Sequence, residues 1–341
     1  MRILLLMDPF IPVPPIHYGG IERVIYDIAC KYVEMGHEVT LIAGPGSKSP
    51  GRLITYGQNG PGSMKIDWAL MKEVHTIVSR EIKTHDVLHN FGRLAFLFSI
   101  AWTGIRKIQT YMRYITPKNI RMLNLSGIRN ATYTAVSDAI VKTGKPGGGD
   151  WKTVYNCAPV DQFDFVREVR ADAPLVFLGR LERCKGAHSA ISVAEKTGRK
   201  LIIAGNISTL EHEKEYFHRE VEPRIDGKLI EYIGTVNNEQ KNRLLGSAAA
   251  MLLPIEWYEP FPVVLPEAFA CGTPILAFPG GGVPEGIRQG VTGFLSDTVD
   301  QMAADVNRIG ELSRESCRQE ALSKYSDTVI ATNYLKLYQS K

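Results

Sequence analysis

Residues 256–290 have the sequence EWYEPFPVVLPEAFACGTPILAFPGGGVPEGIRQG, and the prediction of fold and function starts from this stretch. Two carboxylates, Glu259 and Glu267, stand in an E-x7-E spacing. Three prolines lie between them, and each removes an amide donor and fixes φ near about −65°. The segment is therefore stiff and can hold Glu259 at a fixed place on a loop. A small-residue helix, an apolar strand and a glycine run follow, and this combination indicates a binding site.

The residues around Glu267 predict the start of a helix. Pro266 suits the first helical position, which places Glu267 in the first turn, where free amides and the positive end of the dipole lie. Glu267 could cap this helix or bind a ligand, and Glu259 could serve the site or be a solvated loop charge. Residues 280–282 are all glycine and precede Val-Pro-Glu at 283–285. That pattern is typical of a strand entering a helix whose bare amides bind an anion, and it favours binding.

Length and composition limit the class of protein. The 341 residues predict two domains, each with a sizeable core. Apolar residues make up 44% and charged residues 22%, as in an ordinary soluble globular protein, and the net charge of +4 excludes little. No segment approaches the roughly 18 apolar residues of a membrane span. The apolar run at residues 1–7 lacks a small-residue cleavage site, so it predicts a buried strand and not a signal peptide.

The cysteines indicate neither a disulfide framework nor a zinc site. The five are Cys30, Cys157, Cys184, Cys271 and Cys317. Their number is odd, they are widely spread, and they contain no C-x-x-C pair. This usage predicts a reducing, cytoplasmic location.

Strands and helices are predicted to alternate in the first half of the chain, as in an α/β domain. The predicted strands are residues 2–7, 37–43, 86–90, 107–111 and 131–136, and the predicted helices are 21–35 and about 66–83. Between them, residues 44–63 are dense in glycine, proline and serine and predict a long surface loop. The first domain is expected to cover residues 1–160.

A second alternating series predicts another α/β domain over residues 161–325, after a linker at 161–173. Its predicted strands are 175–178, 200–204, 228–233 and 250–253, and its predicted helices are 187–196, 211–224 and one that ends at 247. Ligands of such domains bind beyond the carboxyl ends of the strands. Gly179, Asn206, Gly234 and Glu256 each follow a predicted strand, so one crevice could collect them. Residues 326–339 predict a final amphipathic helix.

The region 93–129 combines basic and aromatic side chains. Between Asp86 and Asp138 the sequence has no acidic residue. This face could contact an anionic membrane surface at the inner side of the membrane, or an acidic or pyrophosphate-bearing acceptor. The alternative is a solvated basic face over a buried apolar helix. Binding of nucleic acid has no motif in its support.

Arg180 and Lys185 lie in GRLERCKG, directly after the first strand of the second series. The planar guanidinium of Arg180 matches phosphate oxygens, and Lys185 adds a point charge at a helix start. Such a pair is commonly surface charge. Together with the glycine-rich turn and the stiff glutamate loop, however, it indicates a diphosphate site.

The chain resembles the retaining glycosyltransferases of the GT-B fold, in the group with the motif EPFG-x4-E-A-x-A-x-G-x-P (glycosyltransferase family 4, glycosyl transferases group 1). The matching positions are 259–261, 267–268, 270–274, 281–285 and 292–293, with 179–180, 185–186 and 19–23 in addition. The resemblance spans almost the whole chain. It implies an α/β architecture of two Rossmann-like domains that face each other across a cleft, with a C-terminal helix, 326–341, crossing back to the first domain.

The resemblance also implies roles for individual residues. A nucleoside diphosphate sugar, with UDP-sugars favoured, would bind the second domain, and a carbohydrate, lipid-linked or small-molecule acceptor would bind the first. The resemblance assigns catalytic roles to Glu259, Arg180, Lys185 and His89. It assigns binding of the sugar-nucleotide donor to Gly19, Gly20, Arg180, Lys185, Phe261, Val263, Val264 and Glu267. No metal or other cofactor is expected, since the sequence has no D-x-D pair to hold Mg²⁺ or Mn²⁺ on a diphosphate.

Three positions depart from the family pattern. Pro262 replaces a usual glycine, so one amide that could contact the donor is missing. A histidine usual in the first domain has no clear equivalent, and His89 could substitute for it or be structural. Asn156-Cys157 stands where Asn-Gly is common, with an effect that the sequence does not define.

Three other classes of protein are alternatives to the transferase. An NAD-dependent dehydrogenase would need G-x-G-x-x-G after the first strand, and residues 7–20 contain none. A sugar-nucleotide epimerase shares the GT-B architecture and needs no acceptor. A non-catalytic sugar-nucleotide sensor would keep the binding residues and tolerate the loss of Glu259, so the presence of Glu259 favours an enzyme.

Overall fold

The protein is described by a computed structural model that covers residues 1–16, 19–57 and 67–340. The chain forms two compact units. Unit 1 contains the described residues of 1–156 and the C-terminal segment from 327, and unit 2 is Cys157–Ser326. The sequence pattern predicts the domain change after residue 160. In the structure the chain enters unit 2 four residues earlier, so the segment predicted as a linker is part of that unit.

The described residues contain thirteen β-strands and twelve α-helices. The strands are β1 (Arg2–Leu6), β2 (Glu38–Ala43), β3 (Arg52–Thr55), β4 (Val87–Asn90), β5 (Arg106–Tyr111), β6 (Ala131–Ala135), β7 (Trp151–Thr153), β8 (Leu175–Leu178), β9 (Leu201–Ala204), β10 (Ile230–Tyr232), β11 (Ala250–Leu253), β12 (Ile275–Ala277) and β13 (Gly293–Leu295). The helices are α1 (Gly20–Glu34), α2 (Trp68–Glu81), α3 (Pro117–Leu125), α4 (Asp138–Gly144), α5 (Ala187–Thr197), α6 (Glu211–Tyr216), α7 (Asn238–Ser247), α8 (Val264–Ala270), α9 (Val283–Gly286), α10 (Val299–Val306), α11 (Arg314–Glu320) and α12 (Asp327–Gln339).

Unit 1 is built on a seven-stranded parallel sheet in the order β3-β2-β1-β4-β5-β6-β7. Strand β1 is an interior strand of this sheet, and its Leu4 pairs with Thr40 of β2 on one side and Leu88 of β4 on the other. The apolar run of β1 suits this place because a central parallel strand is buried on both faces. In a parallel sheet all carboxyl ends meet at one edge, so the loops after β1, β4 and β5 are brought together there.

One prediction in unit 1 needs correction. The surface loop predicted at 44–63 contains strand β3, which pairs in parallel with β2. This strand is short and only half-buried, so its apolar signal is weak. Residues 58–63 of that loop and the predicted helix start at residue 66 lie outside the described residues. The helix itself begins at Trp68, where the Asp67 side chain accepts a hydrogen bond from the Leu70 amide (2.8 Å).

Helix α12 belongs to unit 1 and packs on α1 and the sheet. Its Tyr338 hydroxyl lies 2.8 Å from the Tyr32 hydroxyl of α1 and 2.6 Å from His89 Nδ1 of β4. Arg106 of β5 donates to the carbonyl of Leu337 (3.0 Å). One side of α12 is therefore buried in unit 1, with Tyr334 and Tyr338 in contact with the sheet and α1.

Unit 2 is built on a six-stranded parallel sheet in the order β10-β9-β8-β11-β12-β13. The ends of β8 and β9 lie close together. Gly179 after β8 and Gly205 after β9 are packed backbone to backbone, and a Cβ at Gly205 would collide with the Gly179 carbonyl.

The helix predicted at 211–224 is divided in the structure. It consists of α6 followed by a π-helical turn, Phe217–Val221, and a 3-10 turn, Glu222–Arg224. The last turn contains proline, which cannot continue an α-helix.

Across the described ranges, no helix has both the length and the apolar character needed to span a lipid bilayer.

Candidate active site

Lys185 is held at the carboxyl end of β8 by a tight turn. The turn Arg183–Lys185 leads into Gly186, which has a left-handed φ of 78° and is the N-cap of α5. A Cβ at Gly186 would collide with the carbonyl oxygen of Pro254, just after β11. Glycine thus lets the Lys185 loop contact the loop that follows β11, and this contact brings two parts of the sequence motif together.

Lys185 and Glu259 form a buried ion pair. The Nζ of Lys185 lies 2.5 Å from Oε2 of Glu259, and the two side chains are 16% and 9% exposed. The indole Nε1 of Trp257 donates to the same oxygen (2.6 Å), and the lysine ammonium lies 5.1 Å from the Trp257 ring centroid. The structure therefore brings together two residues that the sequence assigned to one site, and it adds Trp257 as their common partner.

The glycine run positions Glu259, and the amides of Gly280, Gly282 and Val283 are hydrogen-bonded within the loop, so they are not the free amides that the sequence predicted for an anion. The Gly282 amide donates to the Glu259 carbonyl (2.8 Å), and the Val283 amide donates to the Gly280 carbonyl (3.1 Å). Gly281 has a φ of 59° and lies against the Glu259 backbone with no room for a Cβ. Helix α9 is a single turn, so it has little dipole to offer a ligand.

Arg180 lies on the same strand end as Lys185, in an ion pair with Glu182. Ser208, in the loop after β9, donates to the same glutamate oxygen from its hydroxyl (3.3 Å). Glu182 is buried, so it restricts the guanidinium to one direction. Sequence reasoning identified Arg180 but missed Glu182, two residues later, as the group that orients it.

Glu267 lies in α8, paired with Lys241 of α7. Both side chains are largely buried, and the lysine ammonium also lies 5.5 Å from the Phe163 ring centroid. Helix α8 begins at Val264 and not at Pro266, because Pro262 accepts a hydrogen bond from the Leu265 amide (3.1 Å) and turns the chain earlier. Lys241 was missed by the sequence analysis, since a lysine in a polar helix looks like a solvated charge.

The remaining predicted donor residues of unit 2 differ in exposure. Phe261 is only 2% exposed, and its ring packs 5.5 Å from that of Tyr325. Its side chain therefore anchors the glutamate loop, and a ligand could reach it only through the backbone. Val263 and Val264 are half-buried and remain candidates for direct contact.

A second polar cluster surrounds Glu256, which the sequence placed at a strand end. Its Oε1 accepts from the Ser189 hydroxyl (2.9 Å) and lies 3.0 Å from Nε2 of His188. The other ring nitrogen lies 2.9 Å from the Tyr216 hydroxyl. Burial lowers the pKa of His188, and Glu256 acts in the opposite direction. A neutral imidazole can then donate to Glu256 from Nε2 and accept from Tyr216 at Nδ1.

Unit 1 has its own polar cluster at the strand ends, which the sequence analysis did not identify. Asp8 follows β1 and accepts from the Arg93 amide (3.0 Å), and the side chains of Arg93 and Arg113 lie 3.7 and 3.8 Å from its other oxygen. Burial raises the pKa of Asp8, and the two arginines oppose this. Burial also raises the pKa of Glu22, in the first turn of α1.

A pocket of about 410 Å³ opens beside this cluster in unit 1. It is bounded by the start of α1, the loops after β4 and β5, and α3. Its lining is mostly apolar and aromatic, including Phe91, Phe98, Tyr111, Tyr114 and Met122, with Arg93 and Arg113 as charged members. The shape and lining suit an organic molecule that carries a polar or anionic group.

His89, Gly19 and Gly20 are also in unit 1. His89 is completely buried, with Nε2 2.6 Å from the Thr110 hydroxyl and its ring 3.9 Å from that of Phe91. Burial argues against the predicted catalytic role, because a substrate could not reach the imidazole, and it favours the structural alternative. Gly19 is the N-cap of α1, with a φ of 155°, and Gly20 is its first residue.

Within the part of the chain that the structure describes, no three His, Cys, Asp or Glu side chains are grouped so that they could hold a metal ion. All five cysteines are free thiols.

Comparisons with known proteins identify the fold and the domain that contains these residues. The family described as glycosyl transferases group 1 matches residues 162–328, which include Arg180, Lys185, Glu259 and Glu267. The structure of AviGT4, a glycosyltransferase involved in avilamycin A biosynthesis, aligns with a TM-score of 0.71 and 25% identity over 99% of this chain and 97% of that one. Anabaena Alr3699/HepE, in complex with UDP and glucose, aligns with a TM-score of 0.75 and 20% identity over 100% of both chains.

Curated relatives match over a shorter length. Glycogen synthase of Mycobacterium tuberculosis is 26% identical over 219 residues, which is 60% of this chain and 52% of that protein. The chain spans about half the length of the curated relatives it matches. The aligned structures, by contrast, cover the whole chain, and the two parallel sheets described above agree with them. The chain therefore has the GT-B fold, and its residues 162–328 form a glycosyl transferases group 1 domain.

Proposed function

We propose that the protein is a glycosyltransferase that moves a sugar from a nucleoside diphosphate sugar to an acceptor hydroxyl, with retention of anomeric configuration. The observation that carries the proposal is the buried Lys185–Glu259 pair (2.5 Å) at the strand ends of a group 1 domain. A UDP-sugar is favoured as donor, since a structure with the same fold contains UDP and glucose. Polysaccharide or glycoconjugate biosynthesis is the corresponding role.

Lys185 and Arg180 are proposed to bind the diphosphate. A lysine ammonium has three N–H donors, so Lys185 can keep its bond to Glu259 while it donates to a phosphate oxygen. The guanidinium of Arg180, directed by Glu182, adds a planar fork that suits the same group. Both cations are fixed before the ligand arrives. Their charge can therefore stabilise the leaving diphosphate without reorganisation and without a metal ion.

Glu259 is proposed to contact the donor sugar near its reacting carbon. Its carboxylate is restrained by Lys185 and Trp257 on Oε2, so the second oxygen is directed by the same contacts. A fixed negative charge there stabilises the positive charge that develops on the sugar ring as the bond to phosphate breaks. The leaving phosphate would assist deprotonation of the acceptor hydroxyl on the same face, which gives retention.

Glu267 is proposed to bind the ribose hydroxyls of the nucleotide. Lys241 contacts its Oε1 and leaves Oε2 as the acceptor for a ribose hydroxyl. The ion pair with Lys241 fixes the direction of the largely buried Glu267 carboxyl group. A charged acceptor makes a stronger hydrogen bond to a hydroxyl than a neutral one does.

The pocket of unit 1 is proposed to bind the acceptor. Its apolar and aromatic lining can pack against a sugar ring or an aglycone, while Arg93 and Arg113 suit an anionic group. Carbohydrate, lipid-linked and small-molecule acceptors all fit this description. A cytoplasmic location is part of the proposal, and it is supported by the five free thiols, which are typical of a reducing compartment.

The proposal is tested by thermal stabilisation with UDP, GDP, ADP, dTDP, CDP, NAD and the corresponding sugar conjugates. A ligand that binds only the native state raises its stability by about 2.7 kcal/mol at a hundredfold excess over Kd, so a true donor should stand out. We expect a selective shift with UDP and UDP-sugars. A shift with NAD alone, or with no compound of the panel, would overturn the proposal.

Product analysis with the stabilising sugar nucleotide separates the remaining classes. A transferase consumes the donor and releases the nucleoside diphosphate in proportion to added acceptor. An epimerase would convert the sugar nucleotide in the absence of any acceptor, and a sensor would leave it unchanged.

A further inference from the structure

Helix α3 has an unusual exposed face in unit 1. Its Ile120 and Leu123 are buried, as expected of an amphipathic helix. On the opposite side, Met122 is 53% and Leu125 is 81% exposed. Lys118, Arg121, Met122 and Leu125 are spaced as i, i+3, i+4 and i+7, so two apolar and two basic side chains share one exposed face.

Trp102 and Arg129 extend this face beyond the helix. The Trp102 indole is 62% exposed and donates from Nε1 to the Ser126 carbonyl, directly after α3 (2.7 Å). The Arg129 amide donates to the Ala101 carbonyl (2.9 Å), which places it beside the tryptophan. We call the combined set the α3 surface: Trp102, Lys118, Arg121, Met122, Leu125 and Arg129.

The α3 surface is basic without acidic neighbours in sequence. Residues 87–137 contain no Asp or Glu. Among the described residues, Lys118, Arg121 and Arg129 form no ion pair, and the only side-chain hydrogen bond from the three is that of Arg121 to the Pro146 carbonyl (3.0 Å). Their charges are therefore not neutralised within the protein and are available to anionic groups outside it.

We propose that the α3 surface docks on a lipid bilayer with anionic headgroups. The alternation of cations with single large apolar side chains fits such an interface, where the apolar groups enter the headgroup boundary and the cations meet lipid phosphates. Tryptophan is suited to this boundary because it has an apolar body and one polar N–H. A protein partner would be expected to meet a more continuous apolar patch.

The α3 surface adjoins the pocket of unit 1 that is proposed to bind the acceptor. Met122 of the α3 surface also lines the 410 Å³ pocket of unit 1, together with Asn119 of the same helix. A membrane-anchored amphiphile could then enter the pocket from the docked side. This last step rests on the proposed function, whereas bilayer binding does not.

The test is co-sedimentation of the full chain with vesicles. Vesicles of phosphatidylcholine mixed with phosphatidylglycerol are compared with vesicles of phosphatidylcholine alone, at low and high salt. We expect binding only to the anionic vesicles, with loss at high salt, since each cation near the surface contributes about fivefold to partitioning. The assay needs no donor or acceptor, so its outcome is independent of the transferase proposal.

Two double variants and two matched controls locate the surface. Lys118→Glu with Arg121→Glu should weaken binding by about 10² or more, and Trp102→Ser with Leu125→Ser should weaken it about tenfold or more. Trp68→Ser and Lys72→Glu are the controls, because both residues are exposed on α2 of the same unit, Trp68 to 90%. All variants should retain the parent melting temperature within a few degrees, as expected of exposed positions.

Three results would overturn the proposal. One is that the wild type binds neither kind of vesicle. Another is that both double variants bind as the wild type does, or that the controls lose binding equally. The third is self-association of the wild type that Trp102→Ser with Leu125→Ser abolishes while vesicle binding is absent, which would assign the surface to a second copy of the chain.

Discussion

Lys185 is the residue through which the proposed chemistry is most directly tested. It is the cation closest to Glu259, and it lies in the turn that glycine packs against the loop after β11. Its replacement removes a charge from the diphosphate site and leaves Glu259 with Trp257 as its remaining side-chain partner on Oε2. Both effects should be visible, one in turnover and one in stability.

We expect Lys185→Ala to lower turnover by about 10² to 10³, the effect of losing one preorganised charge that stabilises the transition state. Turnover is measured as release of the nucleoside diphosphate from the stabilising donor, below the melting temperature of the variant. Lys196→Ala is the matched control, because Lys196 is an exposed lysine of α5 paired with Asp300. Turnover of Lys185→Ala within threefold of the wild type would remove Lys185 from the diphosphate site.

His89 should make the stability of the protein dependent on acidic pH. Burial lowers the pKa of His89 well below its usual value of 6.5. As the pH falls through about 6.5, the unfolded chain takes up a proton at this residue and the folded protein does not. The free energy of unfolding therefore decreases by up to about 1.4 kcal/mol per pH unit from this group.

The measurement is urea unfolding of the wild type and His89→Gln between pH 7.5 and pH 5, taken as roughly the range in which a histidine titrates. The variant should be less stable at neutral pH but should show a flatter dependence below about pH 6.5. His75→Gln, at an exposed position of α2, should have the slope of the wild type. Equal slopes for the wild type and His89→Gln would contradict a buried neutral His89.

Individual site residues could be predicted from the sequence where they belong to a motif. Lys185 and Glu259 could be assigned to one site because glycines and prolines restrict their loops. Lys241 could not be found in the same way, since its helix is polar and only tertiary packing buries its ammonium against Phe163. Asp8 was missed for a related reason: it directly follows β1, but its arginine partners come from distant parts of the chain.

Helix α5 has a left-handed glycine at each end, and the two glycines have different surroundings. Gly186 has a φ of 78° and lies against Pro254, whereas Gly198 has a φ of 65° and no atom within 4 Å of a potential Cβ. Alanine substitutions at the two glycines therefore distinguish two contributions to the free energy of unfolding. One is the penalty for the left-handed backbone conformation, and the other is the penalty for a steric collision. Only Gly186 adjoins the proposed site.

Gly198→Ala should cost about 1 to 2 kcal/mol of unfolding free energy, the penalty for a side chain in the left-handed region. Gly186→Ala should cost about 3 kcal/mol or more, because the collision with Pro254 adds an overpacking term. It should also reduce the thermal shift with the donor nucleotide, since Lys185 is the adjacent residue. Equal costs for the two variants in urea unfolding would show that the loop contact is not restrictive.

Elements were predicted well where the apolar pattern is continuous. The strands β8 and β11 were placed at the bounds that the structure has, because both are short apolar runs buried on two faces. Strand β3 was missed, since an edge strand of two exposed and two half-buried residues after a Gly-Ser-Pro segment has no such run. The glycine run at 280–282 was identified, but its contact with Glu259 was not predicted, because that contact depends on how two loops of unit 2 pack.

For the whole molecule, the proposed mechanism predicts that chelation has no effect. Arg180 and Lys185 are proposed to meet the charge of the diphosphate, so turnover in EDTA should equal turnover in Mg²⁺ or Mn²⁺ within about twofold. Release of the nucleoside diphosphate is measured after dialysis against EDTA and again after metal is added. Activity that EDTA abolishes and Mn²⁺ restores would contradict the metal-free mechanism.

More of the fold than of the candidate site could be predicted from the sequence. Two alternating series of strands and helices were visible in the sequence, and each corresponds to one parallel sheet in the structure. The apolar stripe Ile330, Tyr334 and Tyr338 marked α12 as a helix with a buried side. The sequence pattern alone did not show that this stripe meets His89 and Tyr32, because those contacts join residues more than 240 positions apart.

Because α12 belongs to unit 1, it affects which of the two units has its full chain first during synthesis on the ribosome. Residues 1–156 are synthesised first, but Tyr32 and His89 stay without their Tyr338 partner until the last helix emerges. Unit 2 lies wholly between these two segments and has its entire chain by residue 326. Unit 2 can therefore be completed before unit 1, although part of unit 1 precedes it in the sequence.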